Sequence, residues 1–181
     1  MGPKIAGKVV GETYTSAQQD YSVPFPVDPG MGGRVVGDST NDNDNGVTFQ
    51  DDLGSRVSFY ALPFDVNSDW AKSLQIEGRE KPLNWFLGKL YGSSITIHYH
   101  PEIRDGTSSF LFVKNEPDRK DPMVKASAAA FIRGNRIYIA ETDLPTATTI
   151  LWKNQPDESE QKHDEWLENR AVELVQTIQI K

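Results

Sequence analysis

Apolar and polar positions alternate with a period of two along most of the chain, and the period lengthens to that of a helix in two places. β-branched and aromatic residues recur from Gly7 to Tyr14 and from Tyr21 to Val27. The polar stretch Thr15-Ser16-Ala17-Gln18-Gln19-Asp20 between them predicts a hairpin. Pro24 and Pro26 cannot donate to a ladder, so the second of these strands is expected to lie at an edge or to end early. A glycine-rich loop, Asp28-Pro29-Gly30-Met31-Gly32-Gly33, precedes a short extended piece from Arg34 to Gly37 and a polar run from Asp38 to Gly46. Val47 to Gln50 and Arg56 to Leu62 predict a second hairpin, with a type I turn through Asp51-Asp52-Leu53-Gly54 that places Gly54 in the left-handed region.

Pro63 ends that hairpin, and the pattern becomes helical. Asn67, Ser68 or Asp69 can cap a helix entering Trp70-Ala71-Lys72-Ser73-Leu74, and Pro82 suits the first turn of a second helix. In the second, Leu83, Phe86, Leu87 and Leu90 fall on one face, which is expected to be core. After Gly92 the alternation returns: Ser94 to His100, Ser108 to Asn115, Lys125 to Ile132 and Arg136 to Glu141 predict strands, the last two joined by a tight turn at Gly134-Asn135. Asp157 or Ser159 can cap a closing helix whose apolar stripe is Leu167, Ala171, Leu174, Val175 and Ile178, with Glu158 and Glu160 complementing its N-terminal dipole. The expected architecture is one α+β domain over residues 1–181: a single up-and-down antiparallel β-sheet flanked by helices, an α-β-α sandwich with the last helix laid across the sheet.

Composition narrows the function. The chain has 19 basic and 26 acidic residues, a net charge of −7, which disfavours a phosphate backbone or an anionic membrane surface as partner. Nucleic acid is therefore not expected, and no apolar run is long enough to span a bilayer. With no cysteine there is no disulfide framework, thiol nucleophile or Cys-type zinc site. The start MGPKIAGKVV lacks the apolar stretch of a signal peptide, and Ala6 stands where a myristoylation start needs Ser or Thr.

Candidate chemistry is sparse. His98 and His100 lie two residues apart, hence on one strand face, and Glu102 would continue that face. The two histidines make half of a zinc site, and with an acidic residue such as Glu102 or Asp105 they are the basis for reading a metal-dependent enzyme here. A solvated strand face of alternating polar residues gives the same pattern without any ion, and we prefer that reading. Asp42 and Asp44, with Asp51 and Asp52, invite a calcium loop around Gly46. Aligning Gly46 to the sharp-turn position of an EF-hand loop puts Asn41, Asn43 and Asn45 at positions one, three and five and Asp52 in place of the bidentate Glu, so an ion-free turn-forming loop is preferred. The glycine-rich loop has no phosphate-loop spacing, and there is no Gly-x-Ser-x-Gly elbow. No cofactor is expected. Trp70, Trp85 and Trp166 are expected in core and rim packing, whereas Trp152, ahead of polar Lys153-Asn154-Gln155-Pro156, is expected to be exposed and to anchor a partner.

The order of elements, with Tyr14-Thr15-Ser16 before Tyr21-Ser22-Val23-Pro24 and the hairpin Phe131-Ile132-Arg133-Gly134-Asn135-Arg136-Ile137-Tyr138, resembles the PsbP-like fold. That fold is shared by the extrinsic oxygen-evolving subunit of photosystem II, Ran-binding Mog-type proteins and various bacterial lipoproteins. The resemblance implies a non-enzymatic accessory or binding role with a protein partner, at a periplasmic or lumenal site with the signal removed. This chain departs from the lipoproteins in having no lipid-accepting cysteine.

Overall fold

The two-residue period of the sequence is realised as antiparallel ladders in a computed structural model, which describes residues 4–26, 33–39, 45–65, 80–118, 122–143 and 158–181. In chain order the first strands are β1 (Lys8–Val10), β2 (Thr13–Thr15), β3 (Tyr21–Pro24), β4 (Arg34–Asp38), β5 (Asn45–Gln50) and β6 (Arg56–Pro63). Helix α1 (Glu80–Tyr91) leads to β7 (His98–His100), β8 (Thr107–Asn115), β9 (Met123–Arg133) and β10 (Arg136–Asp143). Helix α2 (Glu158–Gln176) and the short β11 (Gln179–Ile180) close the chain.

The strands form two antiparallel sheets rather than the one expected. A four-stranded sheet runs β1-β2-β3-β11 and a seven-stranded sheet runs β4-β5-β6-β10-β9-β8-β7. The segment expected as one strand from Gly7 to Tyr14 is folded back on itself, because Gly11 takes φ +58° and turns β1 onto β2. β3 stops at Pro24, as a chain with Pro26 two residues on must, although it lies between β2 and β11 rather than at an edge. Only His98–His100 of the stretch from Ser94 pairs with β8. The two tight turns form as read, with Gly54 at φ +85° and Gly134 at φ +60°. Within the large sheet, the β4–β5–β6 and β7–β8–β9–β10 groups join where β6 pairs with β10, in register from Arg136 opposite Pro63 to Thr142 opposite Val57.

Each face of the large sheet has its own core. On one side Leu83 and Leu87 of α1 pack with Phe110, Ala128, Ala130, Ile137 and Ile139. Leu90, expected on the same face, is 49% exposed. One position further along, Tyr91 turns inward instead and sets its ring 4.8 Å from both Phe110 and Phe112. On the other side Ala171, Leu174, Val175 and Ile178 meet Ala129, Phe131, Tyr138 and Ala140, and Leu167 is also buried. This second core also takes in Tyr14, Tyr21 and Val23 of the small sheet, so the small sheet and α2 share one face of the large one. The result is the expected α+β sandwich, with α1 and α2 on opposite faces. No helix is long and apolar enough to cross a membrane among the described residues.

Two polar contacts set the position of α2. Its last turn carries no basic residue, so its C-terminal carbonyls need a cation from elsewhere. Arg104 supplies it, donating to the Ile178 carbonyl at 2.5 Å and the Gln176 carbonyl at 3.3 Å while its guanidinium lies 4.8 Å from the Phe131 ring centroid. Across the sheet, the buried Ser127 hydroxyl donates to the Leu167 carbonyl at 2.5 Å.

Candidate functional site

β7 is the edge strand beside α2, and its two histidines point to the face that the helix covers. His98 lies opposite Ser109 in the β7–β8 ladder, so both side chains reach the same helical neighbour, Glu168. The Glu168 Oε2 atom is 2.8 Å from His98 Nδ1 and accepts from the Ser109 hydroxyl at 3.2 Å. His100 Nε2 is 2.9 Å from the same Ser109 oxygen. The directions of these bonds follow from donor counting. An ionised carboxylate only accepts, so the His98 Nδ1–H and the Ser109 Oγ–H both donate hydrogen bonds to it. Ser109 has then used its single proton, and His100 Nε2 must donate to it.

This wiring runs against nucleophilic catalysis. A serine nucleophile needs an imidazole nitrogen that accepts its proton, whereas His100 donates and Glu168 places negative charge where an alkoxide would form. Ser109 is also fully buried. The chain His100, Ser109, Glu168, His98 instead joins β7, β8 and α2. Glu168→Ala is expected to cost about 1–2 kcal/mol, because the buried Ser109 hydroxyl loses its acceptor. His98→Ala is expected to cost under about 0.5 kcal/mol, since that side chain is 55% exposed and its contact with Glu168 is open to solvent. Urea unfolding of the two variants reads the difference.

The other residues singled out in the sequence are dispersed. Glu102 is mostly exposed, with Oε1 3.9 Å from His100 Nδ1. Asp105, at φ +52°, pairs with Arg133 at 2.7 Å and with Arg104 at 3.7 Å. Asp51 spends its carboxylate on the β5–β6 turn, accepting from the Leu53 and Ser55 amides at 2.9 Å each. Gly46 lies within β5, not at a loop's sharp turn, because it pairs with Tyr60, whose ring covers it. Asp42, Asp44 and Trp152 lie outside the described residues, as do Trp70 and the first helix expected around it. Among the described residues no group of three or more His, Cys, Asp or Glu side chains is placed to hold a metal ion.

A second polar cluster, missed in the sequence, occupies the α1 face at the far end of β10. Glu141 and Asp143 follow Ile137 and Ile139 at a period of two, so they point to the same side as the isoleucines. Their cross-strand neighbours on β9 are Ala128 and Ala126, and beyond these on β8 stand Phe110 and Phe112. The alanines leave room between the carboxyl strand and the aromatic strand, and the Tyr91 ring fills it. The Tyr91 hydroxyl donates to Glu141 Oε1. Burial raises the Glu141 carboxyl above its ordinary range; Glu116 and Asp143 push the same way, while the Tyr91 hydrogen bond and the Lys114 ammonium pull it back. Burial and the neighbouring Glu141 likewise hold the Tyr91 hydroxyl in its protonated form well beyond the ordinary range.

Around this pair the remaining charges are interlocked. Lys114 Nζ is 2.9 Å from Glu116 and 3.5 Å from the fully buried Asp143 carboxylate. Arg56 reaches Glu116 at 3.4 Å and Asp118 at 3.0 Å, and its backbone amide donates to Asp143 at 2.8 Å. The signal in the sequence was two acids continuing the apolar register of a strand. Alone, that signal reads as the end of the strand.

No protein-family model and no curated protein matches the chain. Among solved structures it is similar to a Bacteroides thetaiotaomicron protein, at 9% identity and a TM-score of 0.47, over 94% of this chain and 48% of that one. The chain thus spans about half the length of the Bacteroides protein. It is similar to CyanoP, the cyanobacterial PsbP of Synechocystis sp. PCC 6803, at 10% identity and a TM-score of 0.48, over 93% of this chain and 91% of that one. It is similar also to the Saccharomyces cerevisiae Ran-binding protein Mog1p, at 12% identity and a TM-score of 0.46, over 96% of this chain and 95% of that one. Each of these likenesses is at 12% identity or less and a TM-score below 0.5.

Proposed function

We propose that this protein is a non-enzymatic binding or accessory protein that acts through a protein partner in an extracytoplasmic setting. The observation that carries the reading is a contrast between its polar and its aromatic side chains. The polar clusters hold elements together: Glu168 joins His98 and Ser109, and Asp143 joins Arg56 and Lys114. Large aromatic side chains face outward, with Trp85 44%, Tyr99 39% and Trp166 45% exposed. Aromatic residues of this kind supply much of the binding energy where proteins meet.

The test is affinity capture from the source extract, using the purified protein and a Trp85→Ala, Tyr99→Ala, Trp166→Ala triple variant that retains the wild-type melting temperature. A partner held by the wild type and at least tenfold depleted on the variant is the expected result. Equal recovery on both would overturn these aromatic side chains as the contact. Fractionation of source cells checks the setting, and recovery in the cytoplasmic fraction would refute it.

A further inference from the structure

The β9–β10 hairpin ends on two arginines set directly opposite each other, Arg133 and Arg136, on either side of the Gly134-Asn135 turn. Like charges in that position repel, so the pair is stable only with counter-charge beside it. Arg133 follows Phe131 and Arg136 precedes Tyr138 at a period of two, so both arginines leave the sheet on its α2 face, next to the stacked Phe131 and Tyr138 rings. Two turns bring acids to them. The β2–β3 turn, with Gln19 at φ +60°, places Asp20 3.5 Å from Arg136 Nε, and the β7–β8 turn, with Asp105 at φ +52°, places its carboxylate 2.7 Å from Arg133 Nη2. Arg104 lies 3.7 Å from the same Asp105 oxygen, but its Nη1 is spent on the end of α2 and its guanidinium rests on Phe131.

The two acids leave much of the arginine pair unused. Arg133 makes one ion pair among the described residues, through Nη2, although a guanidinium carries five donors, and its side chain is 46% exposed. Every contact of Arg136 is long: 3.4 Å to the Ala61 carbonyl, 3.4 Å to Gln18 and 3.5 Å to Asp20. Asp20 is held more closely by the Ser16 hydroxyl at 2.5 Å and the Asn45 amide at 2.9 Å. The Tyr138 hydroxyl lies within the same field: burial raises it above its ordinary value and Asp20 adds to the rise, while Arg136, Arg133 and Arg104 pull it back. Three arginines against two aspartates leave this cluster at +1, in a chain of net charge −7.

We propose that Arg133 and Arg136 form a receptor for one carboxylate side chain presented by a protein partner, which rests on the reading of this protein as one that acts through such a partner. The planar guanidinium forks match a carboxylate in shape and in donor spacing. A carboxylate seated between them offsets the like-charge repulsion and brings the cluster from +1 to neutral. The net charge of −7 works against a run of phosphates, so the occupant is a single acidic group on a protein surface rather than a polyanion.

Side-chain NMR of the full chain tests the receptor. The probe is a short peptide, capped at both ends, with one glutamate between neutral residues; the comparators are the same peptide carrying glutamine, and inorganic phosphate. The Arg133 and Arg136 Nε–H signals are expected to shift saturably with the glutamate peptide and to stay in place with the glutamine one. Arg133→Gln should weaken the glutamate peptide about fivefold, the upper end for an exposed ion pair. Arg133→Lys, which keeps the charge but loses the fork, should fall between the two. No saturable shift in the unaltered protein, an equal response to the glutamine peptide, or tighter binding of phosphate than of the glutamate peptide would overturn the receptor. Affinity capture with an Arg133→Gln, Arg136→Gln variant, in which Trp85, Tyr99 and Trp166 are intact, separates the receptor from the reading beneath it. Equal recovery of a captured partner by this variant and the wild type would overturn the receptor and leave the aromatic contact standing. A wild type that binds the glutamate peptide yet captures no partner would overturn the partner reading and keep the carboxylate site.

Discussion

Phe49→Ala is expected to lower the unfolding free energy by about 3–5 kcal/mol, the loss typical of removing a fully enclosed aromatic ring. Phe49 is the ring at which the two sheets meet. Its centroid lies 5.0 Å from Phe25, 6.0 Å from Phe59 and 6.2 Å from Tyr14, all in edge-to-face arrangements. Tyr14 comes from β2, Phe25 directly follows β3, and Phe59 stands on β6 diagonally across from Phe49, opposite Val47, in the same core. Removing the ring therefore leaves a cavity lined from both sheets, and the fully buried Tyr14 and Phe59 have little freedom to collapse into it. In a chain of this size each kcal/mol lowers the melting temperature by about 2–4 °C. Phe112→Ala, at a partly exposed position on the opposite face, is expected to cost clearly less. Equal losses in the two variants would mean that the small sheet contributes little at Phe49.

The second large effect is expected at Asp143. Its carboxylate is fully excluded from solvent, accepts from the Arg56 amide at 2.8 Å and lies 3.5 Å from Lys114 Nζ. Asp143→Ala deprives a half-buried ammonium of one of its two carboxylates and a backbone amide of its acceptor. We expect a loss of about 2–4 kcal/mol, less than for an isolated buried pair because Glu116 stays 2.9 Å from Lys114. Asp143→Asn keeps an acceptor for the amide and should recover part of the loss. Urea titration at neutral pH distinguishes these outcomes. A loss under about 1 kcal/mol for the alanine variant would show that the cluster is held by other contacts.

Both effects rest on residues whose faces were legible in the sequence and whose neighbours were not. Phe49 stood in a strand with its inward direction fixed by Val47 two residues before it, both now buried. That its main aromatic neighbours would include Tyr14 and Phe25 depended on a second sheet that alternation alone does not announce. Glu141 illustrates the opposite case. Its position in register with Ile137 and Ile139 was readable, yet a charged residue on an apolar face has no meaning until a donor is found for it. Tyr91 comes from a helix in which Leu90 had been expected to face inward. The histidine pair was read correctly as sharing one strand face, but Glu168, which ties it to the fold, lies on α2. Its role depends on how the helix is rotated over the sheet.

The sequence by itself determined what short-range physics controls. Alternation set which side chains face together, Gly54 and Gly134 fixed the turns whose positive φ other residues resist, and the stripe from Leu167 to Val175 oriented α2. Tertiary structure alone decided which strands became neighbours, from β6 against β10 to β11 against β3. It also decided which polar groups met, as with Arg104 at the end of α2 and Tyr91 on Glu141. A period states the face a residue presents, while its partner is chosen only when distant segments compete to bury those faces and satisfy their hydrogen bonds together.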